Sequence, residues 1–397
     1  ALGIVKMDVL FGFNPHRGTD SYVRGNVLAS NFSLGKLLNN NNLDKVSLKL
    51  QVEAQKPTYG KMKGHAKGTI SDFYFKGYTY KDILLDADYD GLRMDGKLSV
   101  DDPSGQLWLS GLFDFNDKEN PELNFKARAR NLQLDKVHLA EKMPYSYLSF
   151  SVDADFRGKN VDEAEGYVRI DSIDFLREDR VLYMNKLLVK VSNQEDSRDI
   201  KSSSDIINGH IKGSYSLQSL FASIQETLQP YLPALIKENK RKIKEEQVNT
   251  MEFDFKINNT ETISDIFKLP VTLYSQAKIF GHYNNRQNSF DLNLFAPSMK
   301  AAGMNIRSGF VKANTQGDKI NADINLMILG KKEVTNDITI KSEIKNNAIN
   351  TNISLLNNGM QQARGNFSVT TLFSRQENEP LAIDIDMLPS KLLLNNV

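Results

Sequence analysis

Cysteine is absent from the 397 residues, so disulfides and thiolate chemistry are excluded. A thiol-free chain suits an oxidising compartment, where a stray thiol is a liability. No apolar run approaches the ~20 residues needed to span a bilayer. The opening ALGIVKMDVLFGF lacks the basic region and long apolar core of a signal peptide. It reads as mid-strand, and the closing LPSKLLLNNV stops without a terminal element, so a piece of a longer polypeptide is expected. Charge of one sign is also missing. Fifty basic against 49 acidic residues leave +1, which supplies no field for nucleic acid.

The groups that enzymes use are sparse. The five histidines, His16, His65, His138, His210 and His282, stand apart. None is at ligand spacing or in an H-E-x-x-H frame, so no metal site is expected. No G-x-S-x-G elbow, phosphate-binding glycine loop or dinucleotide fingerprint occurs. Gly64 and Gly68 in GHAKG are read as strand ends. Carboxylates are plentiful, but most fall on the polar side of an alternating strand, where solvation accounts for them. The reading is a non-enzyme without a cofactor. The one tryptophan, Trp108, sits between Leu107 and Leu109, so it belongs on the face opposite theirs, as ordinary packing or as a sugar platform.

What the chain has is alternation. DADYDG (86–91) opens like a calcium loop, but the twelfth position is Lys97, where a bidentate glutamate is required. In the flanking ILLDADY, Ile83, Leu85, Ala87 and Tyr89 fall on one side and Asp82, Asp86, Asp88 and Asp90 on the other. This period of two marks a strand, and Asp90-Gly91 a hairpin turn. YLSFSVDADF, MEFDFKIN, SFDLNLF and KINADINL repeat the pattern. Clean alternation predicts antiparallel strands with one wet face. The fold class expected is mainly β: an elongated, curled antiparallel sheet or open groove of repeated strand–short helix–strand units. ASNFSLGKLL (29–38), RARNLQLDKVHL (128–139) and KINNTETISDIF (256–267) share that plan.

One segment departs from it. In 216–247, Leu217, Leu220, Phe221, Ile224 and Leu228 recur at helical spacing behind a Ser216 N-cap. Pro230 and Pro233 end or kink the helix. Leu232, Leu235 and Ile236 open a second one running into KENKRKIKEEQ. The segment reads as an amphipathic helix packed on the sheet, or as a lid or plug over an apolar surface. The organisation expected is a first β-groove segment (1–213), a helical insertion (214–247) and a second β-groove segment (248–397).

The strings GNVLASNFSLGKLL, YKDILLDADYDGLRMDGKLSVDDPSG, LFDFND, FKARARNLQLDKVHL and INGHIKGSYSLQSLFASIQETLQPYLPAL resemble the AsmA-like/TamB proteins of Gram-negative envelopes. The likeness covers most of the chain and rests on overall pattern. It implies a twisted sheet curled into a trough with an apolar inner surface, a "β-taco", in the periplasm and tied to the inner membrane by an anchor outside this sequence. It also implies carriage of phospholipid between the two membranes, and for some members an outer-membrane β-barrel partner. The candidate lining is Ile83, Leu85, Leu148, Phe150, Val152, Phe156, Ile211, Phe253, Phe255, Leu292, Leu294, Ile324 and Leu326. These same residues also suit a closed core. The other readings of the residues are a binding module for envelope polysaccharide or a β-barrel client, and a hydrolase on a β-scaffold.

Overall fold

The computed structural model describes residues 2–12, 21–57, 60–140, 142–194, 197–236, 248–330, 334–359, 363–376 and 380–394. The fold is mainly β, 69% strand and 7% helix, built as antiparallel sheet that does not close into a barrel. His16 and the KENKRKIKEEQ tract lie outside the described residues. The chain divides into two compact units, Ala1–Lys190 and Val191–Val397.

Unit 1 is a ladder in chain order. Its elements are β1 (Ile4–Gly12), β2 (Ser21–Ser33), α1 (Leu34–Leu38), β3 (Leu43–Lys56), β4 (Lys63–Phe75) and β5 (Tyr78–Asp90). They continue with β6 (Arg93–Asp102), β7 (Gly105–Asp114), β8 (Glu122–Gln133), β9 (Ser146–Arg157) and β10 (Glu165–Arg177). Each of these strands pairs antiparallel with the next. Asp90 ends β5 and Gly91, at φ +64°, makes the turn to β6 where the sequence placed it. Gly68 departs from expectation. It lies inside β4, not at its end, because a Cβ there would come 2.1 Å from the Lys49 carbonyl oxygen of β3.

The repeat is visible as matching bulges. Asn31 in β2 and Asn131 in β8 adopt left-handed φ of 47° and 50°, and the ladders slip there, between Ala29 and Phe32 and between Ala129 and Leu132. Asparagine tolerates this conformation better than most residues. In each copy the next strand supplies a serine: Asn31 N–H donates to Ser47 Oγ (3.1 Å) and Asn131 N–H to Ser149 Oγ (3.0 Å). The bulge turns the chain off the sheet. The first copy continues into α1. The second continues into turns over 134–138 instead of the expected helix, with Leu134 and Val137 buried.

β11 (Arg180–Gln194) crosses the division. Unit 2 holds β12 (Ser197–Ser204), β13 (Ile207–Ser214), α2 (Leu217–Leu228), β14 (Thr250–Ile257), α3 (Glu261–Phe267), β15 (Val271–Leu273) and β16 (Ala277–Asn284). Then come β17 (Ser289–Ala296), β18 (Met299–Ala301), β19 (Met304–Gln316), β20 (Lys319–Leu329), β21 (Thr335–Lys345) and β22 (Ala348–Asn357). β23 (Ala363–Ser374), β24 (Ala382–Met387) and β25 (Lys391–Leu394) complete it. Helices interrupt the ladder without breaking it. β13 pairs with β14 across α2, and β14 pairs with β16 across α3 and β15. The third copy of the repeat does form its helix, α3. Its own Ile266 is buried, and Lys268 closes it in a left-handed cap.

α2 begins as the sequence predicts, with Ser216 Oγ accepting from Ser219 N–H at 3.2 Å. Beyond Leu228, residues 229–236 make turns and a bend, and the tract into which the second helix expected from Leu232, Leu235 and Ile236 runs lies outside the described residues. Pro230 and Pro233 lack the N–H groups that would continue a helix. The turns instead bond to the β21–β22 connection. Asn347 N–H donates to the Tyr231 carbonyl (2.9 Å), and Ala234 N–H to Asn347 Oδ1 (2.7 Å).

Candidate functional site

Register places the thirteen candidate residues on the apolar face of the sheet within each unit, six in unit 1 and seven in unit 2. In unit 1, one row crosses the strands as Leu85, Leu98, Leu109, Ala127, Val152 and Ile170. The next row on the same face is Ile83, Val100, Leu107, Ala129 and Phe150. Further along stand Tyr89, Met94, Phe113, Leu123 and Phe156, with Phe113 stacked on Phe125 at 5.3 Å between ring centres. Leu148 shares this face beyond the bulge.

Unit 2 repeats the design. Phe255, Ile279, Leu294, Val311, Ile324, Ile340, Ile353 and Phe367 form one row. Ile211, Phe253, Gly281, Leu292, Ala313 and Ala322 form its neighbour, and Leu326 faces the same way beside Ile338. Of the thirteen, Ile83 is buried and the other twelve are half-buried. Complete burial of such a side chain is worth about 1.5–3 kcal/mol. At half-burial a part of that remains available to an apolar guest.

α2 covers part of the unit 2 face. Leu220 and Ile224 pack with Ile211, Phe253 and Phe290 around buried Tyr215, Met251 and Tyr283. The contact is not purely apolar. Ser223 and Thr227, both buried, each hydrogen-bond the Tyr283 hydroxyl at 2.8 Å. Burial pushes the Tyr283 phenol pKa up. Fully buried Asn249 fixes the start of the helix. Its Oδ1 accepts from Ser216 N–H (2.9 Å), its Nδ2 donates to Ser219 Oγ (3.2 Å), and its own N–H donates to Asn285 Oδ1 (2.8 Å). Leu217 and Phe221 differ from the expected stripe. They point away from the sheet, and Phe221 is 73% exposed. Helical spacing alone missed Ser223 and Thr227, because a polar residue in an apolar contact shows its purpose only when its partner is known.

A concavity of about 950 Å³ opens on the opposite, polar face of unit 1. Its lining takes three consecutive residues from most strands, for example Leu84–Asp86 and Trp108–Ser110. The outer two present side chains and the central one contributes backbone, because successive side chains alternate. Trp108 therefore stands opposite Leu107 and Leu109, as its position predicts. Its ring is approached at 5.5 Å by the Arg130 guanidinium. Ion pairs cross this face, among them Lys67–Asp86 (2.8 Å), Arg169–Asp153 (2.7 Å) and His65 with both Asp86 (3.1 Å) and Asp88 (2.8 Å). The hydrogen bond from Lys67 holds the Asp86 carboxyl below its usual pKa. Asp86 and Asp88 of DADYDG are thus committed to cross-strand partners. Among the described residues no group of three or more histidines and acids forms a metal cage.

One further polar node lies at the DDPSG turn. Buried Asp102 accepts from Lys81 N–H (2.8 Å), Ser104 N–H (2.8 Å) and the Tyr78 hydroxyl. Burial, then the bond to Asp102, raises the Tyr78 pKa. No described helix is long and apolar enough to cross a membrane. No family model, curated protein or solved structure matches the chain.

Proposed function

We propose that the apolar faces bind the acyl chains of phospholipid, and that the chain works in the periplasm as a lipid-carrying element of the AsmA-like/TamB kind. The observation that carries this reading is the continuity of the rows. Leu85 to Ile170 and Phe255 to Phe367 each run unbroken across six or more strands while staying half-buried. An acyl chain lying across the strands meets one apolar neighbour after another. Its gross gain is ~0.8 kcal/mol per methylene, on the order of 10 kcal/mol for sixteen carbons. Movement along such a row exchanges like contacts for like and needs no catalytic group.

The test is mass spectrometry of organic extracts from the purified chain, beside Phe150→Asp and Phe255→Asp variants with unchanged circular dichroism. Co-purified phospholipid that falls severalfold in both variants is expected. Extracts free of lipid, or lipid content indifferent to both charges, overturn the proposal.

A further inference from the structure

We propose that the polar face of unit 1 carries a binding site for an acidic oligosaccharide, centred on Trp108. Three observations coincide there. The first is shape: the concavity crosses seven consecutive strands, β4 to β10, and is open along its length. The second is misplaced apolar surface. Leu84 and Trp108, 56% and 37% exposed, lie on a face otherwise given to charge and hydroxyl, one on each side of Ser99 in the ladder. An exposed apolar group among polar neighbours is the informative kind of exposure.

The third is charge. The lining has five cations and three carboxylates. Asp86 is held by Lys67 and His65, and Asp153 and Asp171 by Arg169. Lys97 and Arg128 form no ion pair among the described residues, and Arg128 sits directly opposite Trp108 in register.

These features fit one chemistry. The electron-rich ring face attracts the weakly positive C–H face of a pyranose. Arg128 offers a planar fork to a carboxylate beside it, and Lys97 a second cation. Sugar hydroxyls find partners in Ser99, Ser110 and Ser151. A run of acidic side chains offers anions but no ring face for Trp108. A uronic-acid unit carries both, a pyranose face for the tryptophan and a carboxylate for the guanidinium opposite it.

Because Trp108 is the one tryptophan, its fluorescence reports on this site directly. The whole chain is titrated with oligogalacturonate, with a neutral malto-oligosaccharide and with polyglutamate. A saturable change with oligogalacturonate alone is expected, weakening as salt rises. The double variant Lys97→Ala, Arg128→Ala, with its circular dichroism unchanged, weakens binding by about tenfold or more. Trp108→Phe, followed by calorimetry, also weakens it. An absent response, an equal response to the neutral sugar or to polyglutamate, or undiminished affinity in the double variant overturns the proposal.

Discussion

Unit 1 and unit 2 are written in the same alternation, yet they finish their apolar faces differently. Unit 1 seals its repeats with small devices: a bulge at Asn31 or Asn131, a serine from the next strand, and a helix of one turn or a set of turns. Unit 2 lays α2 across its face, and most of the fully buried large side chains belong to its helices and their anchors: Ile266, Asn249, Thr227 and Ser223. Three of those four are polar. A helix resting on an apolar sheet by grease alone can slide. Hydrogen bonds to Tyr283 and Asn249 give α2 one position, because displacement leaves buried polar groups unpaired.

The comparison breaks most sharply at Asn249. Asn249→Ala strands several buried donors and acceptors and is expected to destabilise unit 2 by about 3 kcal/mol. Hydrogen exchange should record the loss in α2, β14 and β16 while unit 1 keeps its protection. The counterpart in unit 1 is Asp102→Ala. Without that carboxylate the N–H groups of Lys81 and Ser104 lose their acceptor, for about 2 kcal/mol, visible as faster exchange confined to β5 and β6.

Tyr283→Phe comes next, at roughly 1–2 kcal/mol, because Ser223 and Thr227 lose a shared partner. It also sharpens a pH contrast. A phenol whose folded pKa lies above the ordinary 10.0 contributes stability that is complete below pH 10 and is lost as pH rises through the folded value. Thermal melts above pH 10 should therefore fall in both units, since Tyr78, Tyr80 and Tyr89 in unit 1 are raised as well. Tyr283→Phe should flatten the alkaline loss in unit 2 alone. The smallest effect belongs to the bulges. Ser47→Ala and Ser149→Ala each expose an N–H that water can reach, so about 0.5 kcal/mol is expected, equal in the two copies if the repeat is a true structural one. Unequal losses by urea melts would separate them.

The alternation made the strands and their faces legible, from Ile83 opposite Val100 to Leu294 opposite Val311, because a period of two is a property of the backbone. Other features were not written that way. Asp82, at φ 50°, interrupts the pattern inside β5 where no glycine or proline warns of it. The bond from Ala234 N–H to Asn347, 113 positions away, left no mark in the local pattern around Pro233. The polar concavity around Trp108 depends on how the strands bend together, and curvature is a property of the pairing, not of any one strand. Trp108, read as opposite its leucine neighbours, was one clue, and Leu84, an apolar residue out of phase among aspartates, was another.

The serial order of the ladder bears on how the protein is made. A strand that pairs with its predecessor can dock as soon as it emerges, so the sheet can lengthen by accretion with short loop closures and little topological search. Such a chain can grow during synthesis or export without awaiting its far end. The strap is the exception. The bond between Ala234 and Asn347 closes across 113 positions, so the turns that follow α2 take their final place only after β21 and β22 have formed.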